Sequence, residues 1–273
     1  MNRTRGMVER AVTRHGSTGS SQFDRVTEEE PLEIRVDGDP VAVTMRTPGH
    51  DHELALGFLR GEGVLEDRDD VSSVYHCGRP GETGWGNVID VVAAPGGRLH
   101  RDVLDSARRG TLTTASCGVC GRRTIDDLLA RCRAVADPTV HSTHAITAAF
   151  ASMAGAQPLF EVTGGLHAAG LFRASGEALV VREDIGRHNA VDKAVGFVVR
   201  DAVTLAQGTM LLVTGRASFE IVQKAVAARV GLVASVSAAS SLAIDLAART
   251  GVCLVAFARN GTMNVYTASE RIV

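Results

Sequence analysis

Between residues 32 and 92 the hydrophobic period changes from two to helical and back again. Leu32-Glu33-Ile34-Arg35-Val36 and Val41-Ala42-Val43-Thr44-Met45 alternate apolar with polar or small residues on either side of Asp37-Gly38-Asp39-Pro40. Alternation broken by Asp-Gly predicts two strands joined by a tight turn. From Glu53 the spacing of Leu54, Leu56, Phe58 and Leu59 predicts a short helix, and period two returns near residues 71–75 and 88–92. Residues 31–110 therefore read as a small α+β domain. Residues 1–30 are polar and irregular, with Gly16-Ser17-Thr18-Gly19-Ser20-Ser21 and Glu28-Glu29-Glu30, and predict a disordered tail.

The C-terminal part, residues 123–273, has a different rhythm. Structure resumes over residues 124–133, residues 145–153 predict a helix, and residues 159–162 a strand running into Thr163-Gly164-Gly165. A strand over residues 179–182 leads into a helix over residues 188–199. Met210-Leu211-Leu212-Val213-Thr214 is a buried-type strand, followed by a helix over residues 219–230 that stops at Gly231. Residues 232–236, 242–249 and 252–257 repeat strand, helix and strand, with Gly251 ending the helix. Such βαβ spacing builds a parallel sheet with right-handed crossovers. Ligands collect at the carboxyl ends of its strands, here Thr214-Gly215-Arg216, residues 237–241 and residues 258–261.

The totals narrow the class. A chain of 273 residues, 45% hydrophobic with 29 glycines, buries a core without needing disulfides. A net charge of −2 argues against general nucleic-acid binding, which requires a concentrated basic surface. No apolar run is long enough for a membrane span, and the N-terminal arginines lack the apolar stretch of a secretory signal, so a cytoplasmic location is expected. Five scattered cysteines, Cys77, Cys117, Cys120, Cys132 and Cys253, read as free thiols in a reducing compartment.

Two of these carry candidate chemistry. Cys117-Gly118-Val119-Cys120-Gly121 lies in a segment, residues 94–122, with little apolar periodicity, and residues 111–122 predict a mobile loop. Cys-x-x-Cys serves zinc sites, dithiol redox centres and persulfide carriers alike. Zinc would need two further ligands, for which only His141 and His144 offer themselves; a zinc-deaminase set is excluded because no His-x-Glu occurs. Glycines flank the thiols, Arg122 and Arg123 follow, and from Arg98 to Arg133 eight arginines face four aspartates, a setting that favours a thiolate. A thiol-disulfide oxidoreductase and a zinc-clipped binding scaffold remain alternatives. A second constellation, Arg182-Glu183-Asp184-Ile185-Gly186-Arg187-His188-Asn189-Ala190-Val191-Asp192-Lys193, joins a strand end to a helix start with side chains able to bind phosphate, ribose or base, or merely to cap the helix. His167, after a glycine turn, is as readily a packing residue as a ligand.

Together with residues 163–169, Gly215-Arg216-Ala217-Ser218-Phe219-Glu220 and residues 233–239, these blocks closely resemble the FdhD family, sulfur-carrier accessory proteins of formate dehydrogenase, from about residue 30 to the C-terminus. The resemblance implies a cytidine-deaminase-like mixed sheet flanked by helices, with a smaller N-terminal α+β layer, and a homodimer. It implies a sulfurtransferase that accepts a persulfide sulfur from a cysteine desulfurase and passes it to the molybdenum (or tungsten) bis-guanine-dinucleotide cofactor, Mo-bis(molybdopterin guanine dinucleotide), which then enters formate dehydrogenase. Cys117 would carry the persulfide and Cys120 would partner it. The cofactor-binding stretch maps onto Phe257, Ala258, Arg259, Asn260, Gly261 and Thr262, to which Arg187 and His188 are added here as candidate contacts. No metal ligands carry over, because the cysteine motif precedes His167.

Overall fold

A computed structural model describes residues 6–13, 15, 21–82, 84–97, 99–100 and 132–273 of the chain. Cys117 and Cys120, the loop over residues 111–122 and nearly all of the segment over residues 124–133 lie outside the described residues. The first element is a surprise. Instead of a loose tail, β1 (Met7–Thr13) and β2 (Ser21–Thr27) form an antiparallel hairpin with Met7 opposite Thr27. Val8, Ala11, Val12, Phe23 and Val26 supply strand-forming residues, and the base is tied down at both ends. Glu28 N donates to Gly6 O, Gly6 N to the Glu28 carboxylate, and Thr27 Oγ1 to Thr163 Oγ1 at 3.1 Å.

β3 (Glu30–Val36) and β4 (Asp39–Arg46) form the expected hairpin, and the turn needs only Asp37 and Gly38, both at positive φ (50° and 84°). Helix α1 (Asp51–Gly61) follows, then β5 (Val71–His76) and β6 (Val88–Ala93), giving a four-stranded sheet of order β4-β3-β6-β5. Leu32, Ile34, Val36, Leu54, Leu59, Ile89 and Val91 form its buried core. The alternation seen in the sequence is this sheet's inner face against α1.

The C-terminal part carries α2 (Thr143–Ala154), α3 (Pro158–Thr163), β7 (His167–Phe172), β8 (Ala178–Asp184), α4 (Arg187–Arg200), β9 (Met210–Val213), α5 (Phe219–Ala227), β10 (Leu232–Ser235), α6 (Ser241–Thr250), β11 (Cys253–Arg259) and β12 (Thr262–Val265). The six strands form one mixed sheet of order β12-β11-β10-β9-β7-β8, in which β9, β10 and β11 are mutually parallel. Both faces are apolar. Leu211 and Val213 join Val191, Ala194, Val222 and Leu246 from α4, α5 and α6, whereas Met210 and Leu212 join Ile146 and Met153 from α2. Burial on two faces explains why these strands read as unbroken hydrophobic runs.

Two sequence expectations are corrected here. Residues 159–162 are helical, because Pro158 opens the turn, the Glu183 carboxylate accepts from Leu159 N and Phe160 N at 3.1 and 2.7 Å, and Gly164 (φ 64°) ends it. A glutamate cap from a distant strand outweighs the β propensity of an apolar run with no strand to pair with. The helix expected to run to Gly231 stops at Ala227: Arg229 takes the left-handed conformation (φ 59°) and Val230 N donates to Ala225 O. Gly231 has another task, since a Cβ there would lie 2.5 Å from an Asp137 carboxylate oxygen.

The two sheets are joined through α1 and α4, which cross at two glycines. A Cβ on Gly57 would sit 1.8 Å from Asp192 O, and one on Gly196 1.7 Å from Glu53 O. Such backbone approach is open only to glycine.

Candidate functional site

The carboxyl ends of β9, β10 and β11 are laced together by short polar contacts. Ser235 Oγ, wholly buried at the end of β10, donates to Gly215 O at 2.6 Å and accepts from Ser237 N at 2.9 Å. The loops after β9 and β10 pair directly, Ala217 N to Ala238 O and Ser240 N to Ala217 O. On the far side Phe257 N donates to Ser237 O at 3.0 Å, and Phe257 itself is held at φ 52° beside a bulge between Ala256 and Arg259. A non-glycine residue in that region costs of order 1–3 kcal/mol, and such strain clusters at functional sites. The Arg259 guanidinium stands over the Phe257 ring, 5.9 Å from its centroid. Asn260 and Gly261, both at positive φ (53° and 73°), make the two-residue turn into β12, with Arg259 paired to Thr262.

Helix α4 brings its first residue to the same edge. Arg187 packs so close to Gly215 that a Cβ on that glycine would lie 3.1 Å from Arg187 Cβ, 3.2 Å from Arg187 Cδ and 3.5 Å from His167 Nδ1. A methyl at 215 would press on Arg187, which would have to give by a few tenths of an ångström, and would stand in ordinary contact with His167. Arg187 forms no hydrogen bond or ion pair among the described residues, and its Nε is buried without a partner. Burial pushes the His167 imidazole pKa down, and the charges of Arg187 and His188 push it further, so this ring is neutral at pH 7. His188 Nε2 meets a Glu220 carboxylate oxygen at 2.7 Å and Ser218 Oγ at 3.3 Å. Serine and carboxylate share one ring nitrogen, so the group lacks the relay through opposite nitrogens that activates a serine nucleophile.

The remaining polar residues of the second constellation are spent elsewhere. Lys193 Nζ pairs with Asp184 Oδ2 at 2.7 Å and donates to Thr47 O at 2.9 Å. Asn189 donates to Met45 O and Asp184 Oδ1 and accepts from Thr44 Oγ1, while Thr47 N donates to Asp184. Asp184, Asn189 and Lys193 are buried. They form a latch that fastens the β4–α1 connection to the start of α4, not a ligand-binding surface.

Of the residues singled out in the sequence, Arg187 and Phe257 thus come to one edge of the sheet, linked through Gly215, Ser235 and Ser237. His188 stands one residue behind and faces Glu220. Ala258 is buried in β11, and Arg259, Asn260, Gly261 and Thr262 are exposed at the hairpin tip. Ser235 and Glu220 fall within sequence blocks that carry the family resemblance but had no role of their own there; a serine closing an otherwise apolar run, Leu232-Val233-Ala234-Ser235, was the available signal for the first. Among the described residues no three His, Cys, Asp or Glu side chains gather where they could hold a metal ion. His141 is buried and His144 exposed. Burial pushes the Cys253 thiol pKa up to about 11, which removes it as a nucleophile. Among the described residues no helix is long and apolar enough to cross a membrane.

Residues 27–273 match the model of the FdhD/NarQ family. The chain is 50% identical to a protein of Anaeromyxobacter sp. strain K named sulfur carrier protein FdhD, over 97% of this chain and 93% of that one. Proteins of the same name from Streptomyces coelicolor (47% identity, 93% of this chain, 90% of the relative) and Mycobacterium tuberculosis (50%, 89% and 90%) are similarly close. A crystal structure from Desulfotalea psychrophila, described as a candidate formate dehydrogenase accessory protein, superposes with a TM-score of 0.74 over 98% of each chain at 24% identity, and shows the same fold. The chain belongs to the FdhD/NarQ family.

Proposed function

We propose that this protein is a sulfur carrier that serves formate dehydrogenase, taking a persulfide sulfur from a cysteine desulfurase onto Cys117 and delivering it to the molybdenum bis-guanine-dinucleotide cofactor as substrate. The observation that carries the reading is 50% identity, across 97% of the chain, to a protein named for sulfur carriage. The cysteines support it: Cys253 is buried with a raised pKa, whereas Cys117 is followed by Gly118 in an arginine-rich segment that favours a thiolate.

The chemistry balances with the residues this chain has. The Cys117 thiolate attacks the outer sulfur of the donor's persulfide; one S–S bond forms, one breaks, and the donor leaves as a thiolate with no net redox change. For delivery, the Cys120 thiolate attacks Cys117 sulfur, closing a Cys117–Cys120 disulfide and releasing the outer sulfur as hydrosulfide. The two electrons come from the cysteine pair, and an external thiol later reduces the disulfide.

Intact-mass measurement after incubation with a cysteine desulfurase and cysteine tests this. The native chain should gain one sulfur atom, lost on reduction, and Cys117→Ala should gain none. A wild-type chain that never gains sulfur, or a Cys117→Ala chain that gains it equally, overturns the assignment.

A further inference from the structure

Residues 266–273 run past the amino ends of β10 and β11, at the opposite end of the sheet from Gly215 and Ser237. We propose that they form an acid-sensitive strap, fastened there by Arg271 and kept shut only while the buried ring of His141 is neutral. The device is separate from sulfur carriage and uses none of the groups at the other edge.

The strap has its own fastenings. Thr267 Oγ1 donates to Val252 O at 2.7 Å and accepts from Leu254 N at 2.9 Å. His141 N donates to Arg271 O at 2.8 Å, Val273 N to His141 O at 2.9 Å and Thr143 N to Val273 O at 2.7 Å, so residues 141–143 and 271–273 pair as two short parallel stretches. The buried Arg271 side chain reaches inward. Its Nε donates to Thr139 O at 3.1 Å and its Nη1 to Gly231 O and Gly251 O, both at 3.2 Å. Its Nη2 stands 3.8 Å from Asp137 Oδ1 and has no hydrogen-bond partner among the described residues.

His141 belongs to this clasp. It is 1% exposed, and among the described residues neither ring nitrogen has a hydrogen-bond partner. The acceptors of the clasp are already in use: the three carbonyls receive Arg271, and the Asp137 carboxylate accepts from Thr139 N at 3.0 Å and Gly208 N at 2.9 Å. A neutral imidazole can be enclosed here at modest cost. An imidazolium, with two donors and a full charge, cannot. Burial disfavours the charged form most, and the Arg271 charge adds to it; Asp137 opposes them without prevailing, so the ring's pKa lies below the ordinary 6.5. Of the other titratable groups on the adjoining elements, Cys253 at the start of β11 is held neutral by burial, with a pKa of about 11, and His144 of α2 and Glu270 of the strap are exposed.

Below pH 6.5 an opened strap, with His141 in water, takes up a proton that the closed strap refuses. Acid therefore favours opening until the pH passes the ring's own lowered pKa, below which the bias grows no further. Tyr266 N donates to Leu254 O, so the strap continues the β11–β12 ladder and its release loosens the return strand of that hairpin.

Amide hydrogen exchange of the full chain between pH 7.5 and 5.5, each rate divided by that of an unstructured peptide at the same pH, tests the switch. Protection of the His141, Thr143 and Val273 amides should fall about three- to tenfold over that range, while amides of β9 and β10 keep theirs. His141→Leu has no ring to titrate and should show no such fall. Unchanged protection in the wild type, an equal fall in β9 and β10, or the same fall in His141→Leu overturns the proposal. If the leucine variant does not fold, the wild-type ring decides: the His141 Cε1 proton resonance should reach its titration midpoint below pH 6.5, and a midpoint at or above 6.5 overturns the proposal.

Discussion

Glu53 shows what one buried side chain does for this molecule. It lies in α1 with no solvent exposure, and its carboxylate accepts from Arg182 Nε and Nη2 at 2.5 and 2.9 Å and from Arg200 Nη1 at 2.6 Å. Burial alone would raise its pKa; the hydrogen bonds from Arg182 and His50 outweigh that and hold it at about 2. The drop from the ordinary 4.5 to about 2, at about 1.4 kcal/mol per pH unit, amounts to about 3 kcal/mol of folding stability at pH 7. The sign follows from the lowered value: between pH 4.5 and 2 the unfolded chain binds a proton at this position that the folded chain does not. The contribution is therefore present above pH 4.5 and disappears as pH falls through 2. Glu53→Gln should unfold at lower denaturant than wild type at pH 7, by about 3 kcal/mol in extrapolated stability, and the gap should close steadily between pH 4.5 and 2. A gap of the same size at pH 7 and pH 2.5 would show that the ion pairs contribute nothing through this titration.

At the scale of elements, the crossing of α1 and α4 depends on Gly57 and Gly196, each pressed against the other helix's backbone. Gly57→Ala gains about 1 kcal/mol of helix propensity and loses more, because the added methyl meets Asp192 O and the helices must part. A net destabilisation of about 2–3 kcal/mol is expected for either alanine variant. The double variant should cost less than the sum, since one separation relieves both contacts. Thermal unfolding of the single and double variants measures this, and stabilisation by either alanine would contradict the packing described. Sequence reading found α1 from the spacing of Leu54, Leu56, Phe58 and Leu59 but assigned Gly57 no role, because the partner that makes it necessary is 135 residues away at Asp192. The same limit explains α3, whose cap Glu183 lies on β8, and the end of α5. By contrast, Asp37-Gly38, Gly251 and the apolar runs of β9 and β10 were legible, since each element there depends on its own residues or on burial of both faces.

For the whole molecule, the relevant link is the one between the N-terminal sheet and the edge that carries Arg187. The strand-end rule put Gly215 and Ser237 on one edge from sequence, because parallel βαβ units leave their carboxyl ends on one side, whereas Phe257 was named only through the family resemblance. It could not separate Arg187, which is unpaired at the edge, from Asp184, Asn189 and Lys193, which have the same chemistry but bond to Thr44, Met45 and Thr47 some 140 residues earlier. Those bonds make the start of α4 a shared property of both sheets. Lys193→Met removes the cation beside Asp184 and leaves a carboxylate buried without its charge partner, a change worth about 3–5 kcal/mol. Its effect should not be uniform. Amides of β4 and α1 are held to α4 by this latch and by the Glu53 ion pairs, so in the wild type they should exchange with solvent only as α4 does. In Lys193→Met, exchange in β4 and in the first turn of α1 should speed up by more than it does in β9 and β10, whose hydrogen bonds and core lie within the C-terminal sheet. Equal acceleration in all four elements would mean that the latch supports overall stability alone. Selective loosening around residues 44–51 would show that the N-terminal layer holds the start of α4, and Arg187 with it, against the edge of the C-terminal sheet.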